Sequence, residues 1–432
     1  MNTFAWQTQP AAAALFEQAV ADTLARCPSA AHLANRLLHE TGTRFGDWID
    51  HLHVPADELP AWQACGFIAD RGGLRHPGGR FPLIAAGARA ATLRVESVAD
   101  CCAALGLSSP IIGDPGPGLR RAQLAVGDGV TLSVCERLGW SGVEPTTCEP
   151  SRLATAIRHL ERFRCRPRPE GDGFARTREL IASAVGDLGQ AVTCDLFFAA
   201  ERDFWQRRNA AARVQKARQD ALGLGWANHD HHTYRSSRAG FTALIACLED
   251  LGFTCRERFY AGREAGWGAQ VLEQPLTGIV IFADVDLSPD ELRGDFAHQP
   301  LPDQRELGTV GLWCALHGEA FLAAGMHHLE ATFAFDQART QLAAAGVPSM
   351  KPFTDLPHLR QCFTVAERWP VAQVRLDRLR HQGLITAEQA EQFRRDGALG
   401  SHLELLERNL GFKGFNQHGV SEIIAATDPR RA

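Results

Sequence analysis

The chain has 432 residues, 45% of them hydrophobic and 22% charged, with a formal net charge of −5. That length and composition suit a folded protein with a real core, while the slight acidity argues against a nucleic-acid partner. No run approaches the ~18 apolar residues of a membrane span, and the opening MNTFAWQTQPAAAALFEQAV lacks the basic segment and apolar core of a secretory signal.

These features lead us to expect a soluble cytoplasmic protein. The 12 cysteines are scattered, with Cys101–Cys102 the only close pair, so reduced and mostly buried thiols are expected.

Residues 10–40 have helical apolar spacing, broken at Pro28–Ser29. The stretch 66–92 is rich in Gly, Pro and Arg and reads mostly as loop. ATLRVES at 91–97 alternates as a strand does, and VADCCAALGL follows as a short helix. Two further strands flank the turn at Gly127–Gly129. Helices are predicted over 150–165 and 174–220, interrupted near VTCDLFF. The basic cluster at 202–218 reads as a solvated helix face.

From Gly225 onward the pattern sharpens. NHDHHTYRSS is strand-like, AGFTALIACLEDLGF is an amphipathic helix, and TCRERFY, GAQVLEQ and GIVIFADVDL read as three strands. After a helical stretch at 303–323, the same order begins again. It runs through strand MHHLEATFAF, helix DQARTQLAAAGV, and strands near 348–353 and 360–367. The tail, 372–410, reads as helical and charged.

The chain therefore reads as α+β with a diverged β-α-β-β-β repeat. Two regions are expected. One is a mostly helical 1–220 with a degenerate module at about 90–140, and the other a 221–432 unit carrying the chemistry and C-terminal helices.

The densest polar cluster is Asn228 to Arg235. Alternation on a strand puts His229, His231, Thr233 and Arg235 on one face. Imidazole is a common ligand for zinc, iron, copper and nickel. A guanidinium about 13 Å along the strand, at about 3.3 Å per residue, suits a carboxylate clamp.

His327–His328 opens the second repeat where this cluster opens the first. Paired repeats would bring His231 and His328 together across a pseudo-twofold. Thiolates at zinc-site spacing are missing, so the pattern suits two histidines and one carboxylate rather than a closed structural zinc site. Glu367, in CFTVAER, is the first choice for the third ligand. Glu330, on the same face as His328, is the alternative. His358 and His402 have no partner at diagnostic spacing. Surface or hydrogen-bonded core histidines would explain either cluster taken alone.

The run from His231 to Arg235, its following helix and the IVIFADV strand resemble the 2-oxoadipate dioxygenase/decarboxylase (2-hydroxyglutarate synthase) family of the vicinal oxygen chelate superfamily. The Met-His-His-Leu strand, AERW at 366–369 and the closing GFKGFNQHGVSEI are similar too. The likeness covers roughly 225–430.

The resemblance implies paired β-α-β-β-β modules forming a curved sheet around a metal site. It implies Fe(II) held by His231, His328 and Glu367, with Zn, Mn or Ni as other candidate metals. It implies Arg235 as the catalytic anchor of a substrate carboxylate, with Thr233 and His229 beside it. The expected reaction is oxidative decarboxylation of a small 2-oxo acid with O2. Two other readings stay open. One is a non-redox lyase, isomerase or hydrolase of the same superfamily, and the other a small-acid-binding protein without turnover.

Overall fold

The computed structural model describes residues 6–416 and 427–431. Two curved sheets carry the architecture, each assembled from β-α-β-β-β modules. Among the described residues, no helix is long and apolar enough to cross a membrane.

The first sheet contains β1 (Ile49–Val54), β2 (Ile68–Asp70), β3 (Gly73–Arg75), β4 (Leu83–Ala86), β5 (Ala90–Arg94), β6 (Ile111–Ile112), β7 (Gly118–Val126) and β8 (Thr131–Leu138). Their spatial order is β2-β3-β4-β1-β5-β8-β7-β6. Strand β1 runs parallel to β4 and β5 parallel to β8, while β1 and β5 meet antiparallel at the centre. The first sheet is thus a complete pair of modules. The stretch 66–92, read from its glycines and prolines as loop, contributes β2, β3 and β4. These strands are only three or four residues long, too short to show an alternation of their own.

The second sheet holds β9 (His229–Arg235), β10 (Thr254–Tyr260), β11 (Trp267–Glu273), β12 (Val280–Asp286), β13 (His328–Thr332), β14 (Thr354–Leu356), β15 (Leu359–Phe363), β16 (Glu367–Trp369) and β17 (Ala398–Arg408). Its order is β10-β11-β12-β9-β13-β17-β15-β14, with β16 paired to β17. Again the outer pairs β9/β12 and β13/β17 are parallel and the central pair β9/β13 antiparallel.

The helix Phe241–Asp250 buries Phe241, Leu244, Ile245, Cys247 and Leu248, the spacing of one apolar stripe. Gly252, at φ +86°, lets the chain turn back into β10. The tail read as helix is helical only at Gln373–His381 and Ala387–Asp396; residues 398–408 form β17. The segment between β15 and β17 is an insertion, so the module closes some thirty-five residues later than its sequence spacing suggests.

Four helices, Pro150–Arg164, Gly173–Leu188, Gln190–Gln206 and Ala210–Asp220, connect the sheets. The third runs straight through VTCDLFF, where a break was expected; the breaks fall at Gly189 and after Gln206. Its Glu201 is fully buried and paired at 2.6 Å with both Arg166 and Arg168. Arg166 and Arg168 also donate to the carbonyl of Phe321, tying the helical layer to the approach to β13.

Removing one member of a buried ion network leaves uncompensated charge. Glu201→Ala is expected to lower the unfolding free energy by about 3–5 kcal/mol, read from urea denaturation. A change under about 1 kcal/mol would mean that the arginines find water or another partner.

Candidate metal centre

Strand register assembles the site in rows across the second sheet. His231 on β9 faces Glu330 on β13, which faces Glu404 on β17. The next row is Phe282, Thr233, His328 and His402. A third row pairs Arg235 with Asp284 on β12. The opposite face carries Tyr234, Leu329, Ala331, Leu403 and Leu405, all in the main apolar core. Burying those side chains fixes which face the polar residues present.

The polar atoms converge closely. His231 Nε2 lies 3.0 Å from Glu330 Oε1, and His328 Nε2 lies 2.5 Å from the same oxygen. His328 Nε2 is 3.6 Å from Glu404 Oε2. Thr233 Oγ1 donates to Glu330 Oε1 at 2.7 Å, and Gln361 Nε2 donates to Glu404 Oε1 at 2.7 Å. A cavity of about 60 Å³ opens over these groups, walled by Phe259, Trp267, Phe282, Phe353, Phe363 and Phe415.

Behind His231 stands Asp230, which accepts from His231 Nδ1 at 2.9 Å. Arg408 reaches both oxygens of Asp230, at 3.0 and 3.1 Å, and Arg80 comes within 3.1 Å. Burial works to raise the Asp230 carboxyl, but Arg408, Arg80 and His231 hold it well below the carboxylate range. An ionised Asp230 can only accept, so the His231 proton stays on Nδ1 and the Nε2 lone pair points into the site. Burial also lowers His231 to about 4, so the ring is neutral at physiological pH. His328 is likewise pushed well below its ordinary value, by burial first and then by His402 and Arg235.

The carboxylates show the complementary effect. Burial raises Glu330 well above the ordinary range, and the Glu404 charge adds to it. Burial raises Glu404 too. The His231 lone pair faces a carboxylate oxygen at 3.0 Å. Two electron-rich atoms at that distance require a proton or a cation between them. Glu330 Oε2 and His328 Nδ1 are buried without a hydrogen-bond partner. Neutral imidazoles, crowded carboxylates and orphaned polar atoms together fit a divalent cation.

The sequence-predicted residues fall into two groups. His231, Thr233, Arg235, His328 and Glu330 line the one cavity. His229 and Glu367 do not. His231 pairs with Glu330 but His229 pairs with Ala331, so Asp230 is an extra residue in β9. This bulge breaks the alternation and turns His229 away. His229 instead packs 5.1 Å from His232, with Nδ1 against the Trp226 carbonyl, and borders a separate cleft of about 1120 Å³ between the two sheets.

Glu367 lies on β16, inside the insertion, where its carboxylate accepts from the backbone N–H of Ala210. The carboxylate on the closing strand is Glu404. Sequence reasoning missed it, together with His402, because SHLELLER was absorbed into a charged helical tail. The period-2 alternation of His402, Glu404 and Leu406 against Leu403 and Leu405 was the available signal. The similar tail GFKGFNQHGVSEI reaches into 417–423, outside the described residues.

The first sheet carries a reduced version of the same arrangement. Asp50 is the extra residue at a bulge in β1, contacts His51 Nδ1 at 2.7 Å, and is gripped by Arg137 from β8. Thr92 and Ser133 occupy the register positions of Glu330 and Glu404. Asp50, His51 and Cys135 cluster there, but the Asp50 carboxylate is already committed to Arg137.

No protein-family model matches the chain, and no curated protein matches its sequence. Several solved structures are similar. A Ralstonia eutropha JMP134 protein assigned to the glyoxalase superfamily is 14% identical, with 59% of this chain and 95% of that one covered and a TM-score of 0.34. A triply substituted 4-hydroxymandelate synthase from Streptomyces coelicolor is 13% identical, with 79% and 98% covered and a TM-score of 0.33. The uncharacterized protein YdcJ of Shigella flexneri, which includes domain DUF1338, is 10% identical, with 59% and 73% covered and a TM-score of 0.26.

Two predictions follow from the electrostatics. Asp230→Asn should weaken Zn(II) binding about 10–100-fold, measured by competition with a chelator. Unchanged affinity would mean that Asp230 has no role in orienting His231.

The second concerns pH. Burial raises Asp284 to about 8, above its unfolded value. Such a group holds its proton more tightly when folded, so its contribution is complete at low pH and is lost as pH rises through about 8. In metal-free protein the melting temperature should therefore fall from about pH 5 to about pH 8. Asp284→Asn should flatten that fall, and an unchanged slope would refute the assignment.

Proposed function

We propose that the chain is a metal-dependent enzyme, a non-haem Fe(II) dioxygenase/decarboxylase acting on a small 2-oxo acid. The observation that carries this reading is the convergence of His231, His328 and Glu404 on one side of an aromatic-walled cavity. Two imidazoles and one carboxylate on one face leave the other coordination positions for ligands from solution. Bound there, ferrous iron supplies O2 chemistry and the redox equivalents of oxidative decarboxylation.

The chain's own residues supply the rest. Asp230 fixes the His231 tautomer and Gln361 holds Glu404 in place. Thr233 restrains Glu330 beside the two imidazoles. The ring walls keep bulk water from the reacting end of the substrate. Arg235 reaches the remote end from the row farthest from His231.

Glu330 favours a second reading. Its oxygen is nearer to both imidazoles than Glu404 is to His328. A set of two histidines and two carboxylates suits a redox-silent Mn, Ni or Zn acting as Lewis acid in a lyase, isomerase or hydrolase.

Anaerobic reconstitution with Fe(II), followed by O2 uptake and CO2 release on a panel of 2-oxo acids, separates the two. The dioxygenase reading expects stoichiometric O2 and CO2, reduced at least about 100-fold by His231→Ala or Glu404→Ala and retained in Glu367→Ala. Tight Mn or Zn binding with no O2 uptake on any acid would overturn it and favour the Lewis-acid enzyme. Glu330→Ala that raises rather than abolishes Fe(II) turnover would assign Glu330 a role outside the ligand set.

A further inference from the structure

Away from the central cavity, a second group of metal-ligating side chains gathers at the edge of the second sheet. Glu249 lies in the last turn of helix Phe241–Asp250, Cys255 on the edge strand β10, and His298 in the connector that follows β12. One donor atom from each lies within 4.8 Å of the other two, and all three residues reach the surface.

A separate feature aims each of them. The helix buries Phe241, Leu244 and Leu248, which leaves Glu249 facing outward. In β10, Cys255 pairs with Leu272 and Glu257 with Val271, so Arg256 is an extra residue. That bulge puts Cys255 on the side of Leu272, where the helix packs, while Glu257 faces the other way with Val271. In a regular strand the two would share a face. The connector is held down by Phe296 and Ala297, both buried, with the Phe296 ring stacked on Phe241 at 5.8 Å. His298 follows directly.

The histidine is already oriented as a ligand. Both oxygens of Asp295 meet its Nδ1, at 2.8 and 3.0 Å, and its Nε2 points at Glu249 Oε1, 2.8 Å away. A carboxylate on one ring nitrogen, with the other turned toward further donors, is the arrangement metal-binding histidines use. An imidazolium between two carboxylates would account for Glu249, Asp295 and His298 alone. It would not account for Cys255. Partial burial, then the charges of Glu249 and Asp295, push that thiol up to about 11, and a neutral thiol adds nothing to an ion pair. Thiolate, imidazole and carboxylate are instead the donors that zinc takes. Tetrahedral donors about 2.0–2.3 Å from zinc stand roughly 3.5 Å from one another, a spacing that exposed side chains reach by rotation.

We propose that Glu249, Cys255 and His298 form a second, surface site for a divalent cation of the zinc class, with Asp295 orienting His298. Water takes the fourth position. Binding forms a thiolate–metal bond and releases the thiol proton and the second imidazole proton to solvent. The metal ties helix, edge strand and connector together at one point. Among the described residues, no cysteine lines the central cavity, so this site stands or falls apart from the function proposed above.

Anaerobic titration of the whole chain with Co(II) tests the proposal, because a thiolate–cobalt bond gives near-ultraviolet charge-transfer absorption that imidazole and carboxylate ligands do not. That absorption should appear, bleach on addition of Zn(II), and persist in His231→Ala. Cys255→Ser should abolish it and remove one equivalent of tightly bound Co(II). Asp295→Asn should weaken this site about 10–100-fold.

No thiolate absorption in the wild-type chain would overturn the proposal, whether or not the variants fold. So would absorption that survives Cys255→Ser, which would belong to another cysteine, such as Cys135 beside Asp50 and His51. Co(II) at this site that leaves on desalting would mean an adventitious ion only, and would leave Glu249, His298 and Asp295 a surface ion pair.

Discussion

Asp230 is the constraint on which the site depends. It is a fully buried anion that Arg408, Arg80 and His231 jointly keep ionised. Each partner comes from a different part of the chain. His231 is its neighbour on β9, Arg408 ends β17, and Arg80 lies in the turn-rich stretch before β4. A single carboxylate thus pins the closing strand of the last module, the opening strand of the third, and the first sheet to one point. Further bonds reinforce that seam. Arg44 donates to Asn409 and to the Arg408 carbonyl, and Gln9 N–H donates to the Leu410 carbonyl. The first sheet therefore acts on the site without lining its cavity, through the charge environment of Asp230.

The bulge at Asp230 makes this geometry available. A regular strand would place Asp230 and His231 on opposite faces, and their side chains could not meet. One extra residue rotates the backbone so that carboxylate and imidazole touch, with Asp230 behind the ring and Nε2 ahead of it. The same step turns His229 away. Gaining an oriented imidazole and losing a second histidine are one backbone event.

The sequence disclosed a good part of this and concealed the rest for physical reasons. The modules after Gly225 were legible because their helices have clean apolar stripes and their strands are long. Helix Phe241–Asp250 and strands β9 to β12 fall where the alternation placed them. His231, Thr233, Arg235, His328 and Glu330 share a cavity because strand alternation is local and survives everywhere but the bulge. Glu367 misled because it follows β15 at a normal hairpin distance. The chain instead inserts β16 and two helices before closing with β17, and no local pattern reports a deferred strand pairing. Topology would have reported it. A parallel β13 partner is needed to close the module, and ALGSHLELLER is the alternating segment left to supply one. The first sheet was half seen for a similar reason. Strands β2 to β4 are short and glycine-punctuated, so their pairing is set by neighbours rather than by composition.

The two sheets together separate frame from function. Each has an aspartate at a bulge, a histidine after it, and an arginine from the closing strand gripping that aspartate. This frame is therefore a structural solution for a central strand pair, not in itself a sign of chemistry. What differs is the row beside the histidine. Thr92 and Ser133 in the first sheet carry no charge and need no counterion. Glu330 and Glu404 in the second are buried, adjacent and pushed toward their neutral forms. A fold that already has an uncharged way to fill these positions has no structural need for two opposed carboxylates. Their presence in only one of two equivalent frames supports the proposal that this sheet is the one that holds a cation.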